Sequence, residues 1–180
     1  MIQAAAVICV ALARAPAGHA EDYLVARGAF AGSIEGREPM QAVAPPARAA
    51  PGPLWFWTEI RVAASALAAL RADKALPLQH RWYADIAGMP GPDLQPDFSR
   101  PLEMIDEEKL QRLAGEAKAR GFFTYRTASC RANLREGHWI VAVTDANGRT
   151  LACADGRMCR FEVDVRAGGE RATAPCPVGQ

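Results

Sequence analysis

Apolar and polar positions alternate along residues 136–151, EGHWIVAVTDANGRTL, and the alternation breaks at Asn147-Gly148. Trp139, Val141 and Val143 fall on one face of a pleated strand, and His138, Ile140, Ala142 and Thr144 on the other. Asn and Gly tolerate positive φ, which a turn that twists with its strands requires, so the stretch predicts a β-hairpin. The same period marks 22–34, 54–62, 78–86, 122–129 and 160–166 as strands. In 54–62, LWFWTEIRV, both faces begin apolar, which predicts a central strand covered on both sides. In 160–166, Phe161, Val163 and Val165 point inward and charge points outward, the pattern of a protected edge strand.

One segment follows a helical period. Leu110, Leu113, Ala114 and Ala117 make an apolar stripe, Asp106 is a good N-cap, Ile105 and Leu110 suit a hydrophobic staple, and Gly121 supplies the stop. A helix is therefore expected over 105–120, inserted at 103–121. Glu108–Arg112 and Glu116–Arg120 read as i,i+4 pairs on its surface. The run AASALAALRAD permits two further helical turns. Residues 41–53, QAVAPPARAAPGP, show no apolar period and read as an extended surface connection. The Gly/Pro-rich tail 167–180 reads as flexible except where Cys176 ties it down. The whole predicts an all-β, immunoglobulin-like antiparallel β-sandwich over 21–166 with one inserted α-helix.

Composition locates the protein more than it defines a task. Residues 1–20, MIQAAAVICVALARAPAGHA, resemble a signal peptide, with an apolar core too short to span a bilayer and small residues at Gly18 and Ala20. Removing them removes Arg14 and leaves basic and acidic side chains balanced at 20 each. That balance argues against a nucleic-acid partner held by bulk electrostatics. Export to a periplasmic or secreted location gives the four remaining cysteines a meaning. Cys153 and Cys159 flank a loop short enough to clip, which makes their pairing the first choice and leaves Cys130 with Cys176. A zinc site is the rival reading, without the paired spacing such sites use.

The order GREP, LWFWTEI, HRWY, YRTAS, a Gly-x-Trp strand, D-x-N-G and a final F-x-V resembles the bacterial domain-of-unknown-function 2914 family over roughly residues 23–165. The resemblance implies a small β-sandwich of exported or membrane-attached bacterial proteins and implies no activity. The helix at 106–120 and the Cys130-Arg131 pair depart from the family's pattern.

Trp55, Trp57, His80, Arg81, Trp82 and Tyr83 are the candidate ligand-binding residues, because aromatics beside hydrogen-bonding groups hold sugar rings and peptides. The competing reading makes Trp82 the core tryptophan of the sandwich and His80 its neighbour. Ser129 with His80 or His138 could be imagined as a hydrolase, but no nucleophile-elbow motif surrounds the serine. Two histidines on separate strands lack a third metal ligand, so neither a metal nor a cofactor is expected. The sequence therefore points to a non-catalytic binding or scaffolding module of the cell envelope. Its partner would be an envelope protein or carbohydrate, its mature chain has no membrane span, and an envelope hydrolase is the alternative.

Overall fold

Two β-sheets close over one apolar core. The computed structural model describes residues 22–86, 88, 90, 91, 93–102 and 105–177; the signal-like segment 1–20 lies outside them. The first sheet is built from β1 (Tyr23–Glu35), β2 (Glu38–Ala42), β4 (Gly52–Ala63) and β7 (Phe122–Leu134), in the order β2-β1-β4-β7. β9 (Ala152–Cys153) joins β1 in parallel. The second sheet runs β3 (Ala47–Ala49), β10 (Arg160–Val165), β8 (Gly137–Asp145), β5 (Leu78–Ala84) and β6 (Phe98–Pro101). The pairings are mostly antiparallel, and the architecture is that of a β-rich sandwich.

The alternation explains the packing. Leu54, Phe56, Ile60 and Val62 from β4 face Leu78 and Trp82 from β5 and Val141 and Val143 from β8, all buried. Phe56 is the hub, with the rings of Phe30, Phe161 and His80 at 5.2, 5.0 and 4.9 Å. Tilted and edge-on rings at such distances add to the gain from burial alone. Gly28 is needed here, since a Cβ would lie 2.4 Å from the Phe161 ring.

The hairpin at 136–151 forms in shortened form. Asp145 Oδ1 accepts from the backbone of Asn147 and Arg149, and Gly148 takes φ +79°. After Leu151 the chain crosses to the first sheet as β9. The helix, α2 (Glu107–Arg120), follows α1 (Leu67–Asp73) in the chain; Asp106 caps α2 by accepting from Lys109 N at 2.7 Å, and Gly121 ends it at φ +77°. Its buried Leu110, Leu113 and Ala117 join the core beside β7, the last strand of the first sheet's path. Glu116 reaches past the helix to accept from Thr124 N, covering a donor on that edge.

Three expectations need correction. Residues 41–53 contain the whole of β3, and Val43, Ala49 and Ala50 are buried. β10 is not an edge strand, because β3 pairs with it in parallel. Its outward charges are partnered instead, Arg160 with Glu162 in an ion pair and Asp164 with His138 Nδ1 at hydrogen-bond distance, 3.0 Å. The tail, expected to be tied at Cys176 alone, is also held ahead of it by backbone contacts. Glu170 exchanges backbone hydrogen bonds with the Arg48–Ala50 segment, Thr173 N donates to Gly32 O, and a Cβ on Gly169 would lie 2.3 Å from the Ala49 backbone. Weak side-chain patterning hid all three, since these contacts are made by backbone.

Disulfides join Cys130 to Cys176 and Cys153 to Cys159, the chemistry of an oxidising environment. No helix among the described residues is long and apolar enough to cross a membrane. The two bridges constrain loops of different size, with sequence separations of 46 and 6. Loop-closure entropy then predicts a loss of about 4 kcal/mol on replacing Cys130 and Cys176 by alanine, and about 2 kcal/mol for Cys153 and Cys159. Urea denaturation of the two double variants checks the order.

Candidate functional site

The six candidate binding residues do not form one surface. Neighbouring strand residues point to opposite faces, so the run His80-Arg81-Trp82-Tyr83 divides between two sides of the second sheet. His80 and Trp82 lie in the core, each 0% exposed. Tyr83 is buried on the other face, where Arg81 donates from Nε to Gln79 Oε1. Trp55 and Trp57 sit on the outer face of the first sheet, yet neither is open. Trp57 is buried, donates its indole N–H to Arg37 O at 2.7 Å, and carries the Arg27 guanidinium 5.3 Å above its ring. Trp55 is half-buried beside Cys130 on the neighbouring strand, and its indole nitrogen has no hydrogen-bond partner among the described residues.

The core does bring Ser129 and His80 together. His80 Nδ1 is 3.0 Å from Ser129 Oγ and Nε2 is 2.9 Å from Thr58 Oγ1, while Trp82 Nε1 donates to Ser129 Oγ at 3.2 Å. Thr58 and Ser129 belong to the first sheet and His80 and Trp82 to the second, so these bonds join the two layers. Ser129 is 1% exposed, and neither it nor His80 lines either of the two clefts described below. Burial pushes the His80 imidazole down to about 3, because an apolar surrounding disfavours the charged ring. A neutral imidazole satisfies both neighbours through either tautomer.

The open chemistry lies elsewhere, in a cleft of about 670 Å³ between α2 and the outer face of the first sheet. Register builds one wall. Arg27, Glu59 and Arg126 are paired positions on β1, β4 and β7. Arg27 Nη2 and Arg126 Nε both donate to Glu59 Oε2, at 2.8 and 2.9 Å, and Arg126 Nη1 reaches Glu38 at 2.6 Å. The Arg27 hydrogen bond, ahead of Arg126, holds the Glu59 carboxyl below its ordinary range. Helical spacing builds the facing wall, with Lys109, Arg112, Glu116 and Arg120 on one stripe of α2. Lys109 Nζ lies over the Tyr125 ring, and Arg120 pairs with Glu116 at 3.5 Å.

Arg37 closes one end. It stands in the two-residue turn between β1 and β2, where Gly36 and Arg37 take φ +55° and +69°. Positive φ at both central positions suits this hairpin, and an arginine at the second one carries a steric cost that glycine avoids. Arg37 and Arg112 have no carboxylate partner among the described residues. The lining holds six basic and two acidic side chains, a local excess of four in a chain whose formal excess is one.

A second cleft, about 740 Å³, opens between β1 and β10 over Phe161, Val43 and Pro45. Its charged rim is partnered, through the β10 contacts already described and through Arg157 with Asp155. Among the described residues no group of three or more His, Cys, Asp or Glu is placed to hold a metal.

Sequence reasoning missed the cationic cleft. The four-residue stripe on α2 was legible as spacing, but Arg27 and Arg126 face it only through the pairing of β1, β4 and β7. Comparison with protein-family models, curated proteins and solved structures gives no match.

The buried imidazole makes a measurable claim. Below pH 6.5 an unfolded His80 takes up a proton that the folded protein refuses until about pH 3. Stability is therefore fully present above pH 6.5 and falls on acidification by up to about 1.4 kcal/mol per pH unit. The depressed carboxyls of Glu59 and Asp164 add their own loss only in the carboxylate range. Between pH 6.5 and 4.5, urea midpoints should fall steeply for the wild type and less for His80→Gln; parallel slopes would remove His80 as the cause.

Proposed function

We propose that the protein is a non-catalytic binding module that holds an anionic ligand in the cleft between α2 and the first sheet. The observation that carries this reading is the unbalanced charge of that cleft, with Arg37 and Arg112 lacking carboxylate partners among the described residues. Guanidinium groups bind carboxylate and phosphate through paired hydrogen bonds, which gives such a cleft specificity as well as charge. The sandwich is read as immunoglobulin-like, and the motif order shared with the domain-of-unknown-function 2914 family supports a scaffold that brings no activity with it. The two disulfides and the signal-like segment 1–20 support export to a bacterial periplasm or beyond the cell. There the partner would be an anionic envelope glycan or an envelope protein that presents anionic groups.

One observation favours a second reading, an envelope hydrolase: Ser129 and His80 lie within hydrogen-bond distance. Their burial weighs against it, since a nucleophile must meet its substrate. The wild-type chain is expected to resist a fluorophosphonate probe under native conditions. Labelling that Ser129→Ala abolishes would favour the hydrolase.

A thermophoresis panel of polyanions at about 0.15 M salt, where screening acts over about 8 Å, tests the binding reading. At least one should bind the wild type, and Arg37→Glu with Arg112→Glu should weaken it about tenfold or more. Arg71→Glu with Arg149→Glu changes net charge equally, away from the cleft, and should leave binding intact. Equal losses in both double variants would reduce the effect to bulk charge.

A further inference from the structure

The geometry points to a ligand bearing several phosphoryl groups in a row, and we propose that class for the cleft. The inference rests on the cleft being the binding site. Three features select phosphoryl groups over other anions.

The first is the shape of the charge. On the sheet side Arg27 and Arg126 flank Glu59 across two strand spacings, about 10 Å. On the helix side the stripe from Lys109 to Arg120 spans eleven residue steps, about 16 Å. Two facing rows of cations fit an elongated anion better than one compact charge.

The second is the carboxylates already present. Glu59 is held by two guanidiniums and Glu116 by Arg120 and a backbone N–H. A ligand carboxylate brings one charge, which those internal groups already match. A phosphate monoester brings about 1.5 to 2 charges and three acceptor oxygens. It can engage the remaining N–H groups of Arg27 and Arg126 while Glu59 keeps both guanidiniums aimed, which makes Glu59 a positioning residue.

The third is Arg37. Its backbone sits at φ +69°, where glycine would be easier to accommodate. The turn itself does not need a guanidinium. Trp57 holds only the Arg37 carbonyl, so the side chain is not required for that contact. A binding role accounts for an arginine at this position. The lining offers little else: Leu113 and Tyr125 are its large apolar side chains, both buried. A polar ligand is thereby favoured.

The experiment is calorimetric titration of the full chain with pyrophosphate, tripolyphosphate and citrate, together with sedimentation on vesicles of phosphatidylcholine with and without cardiolipin. Tripolyphosphate should bind tighter than pyrophosphate and about tenfold or more tighter than citrate. Arg37→Gly should weaken tripolyphosphate several-fold without lowering the melting temperature, because glycine suits that backbone. Co-sedimentation with cardiolipin vesicles that tripolyphosphate reverses would support the class with a lipid headgroup as its source. Phosphate binding without vesicle binding would support it with a soluble ligand. Citrate binding as tightly as tripolyphosphate would overturn the phosphoryl class and leave the anion cleft standing. Failure of every anion to bind would overturn both.

Discussion

The structure depends on a short chain of hydrogen bonds through its apolar centre. Thr58 and Ser129 on one sheet meet His80 on the other, and Trp82 completes the set. Sheet-on-sheet contacts between aliphatic chains resist separation but tolerate sliding. Polar groups buried at fixed positions do not, because a shifted register would leave donors and acceptors unpaired at about 1–3 kcal/mol each. The network thus fixes how β4 and β7 lie over β5. That alignment sets Phe56 among its ring neighbours and leaves the imidazole neutral.

The same register organises the outer surface. Inward positions of β4 supply Phe56 and Thr58, and the alternate positions turn Trp57 and Glu59 outward. Glu59 then meets Arg27 and Arg126 on the flanking strands. α2 completes the arrangement from the other side. Its apolar stripe enters the core beside β7, and Glu116 covers a backbone donor of that strand. The helix's polar stripe is left facing the arginines of the sheet. Protection of a sheet edge and construction of the cleft are one packing event.

Local chemistry was legible in the sequence wherever side chains carry the instruction. Asn147-Gly148 announced the turn, Asp106 and Gly121 bounded α2, and the alternation in 78–86 puts His80 and Trp82 on the face opposite Arg81 and Tyr83. What stayed hidden depends on which strands become neighbours. β3 and the strapped tail are held by backbone hydrogen bonds from alanine, glycine and proline-rich segments, whose side chains signal little. The candidate cluster divides for a related reason. HRWY looked like one cluster in the chain, although a strand sends its members to opposite sides. The residues that do converge, Arg27, Arg37, Arg112 and Arg126, are scattered over a hundred positions and read singly as solvated charges.

The central claim is that the buried polar groups hold the sheets together and that binding belongs to the surface. The ring nitrogens of His80 test it most directly, followed by nitrogen-detected NMR through a pH titration. The account predicts a neutral ring with constant shifts from pH 7 to 4.5. A ring that titrates near the ordinary value of 6.5 in the folded protein would show that water reaches the Ser129–His80 pair. It would contradict the assignment of these residues to the core.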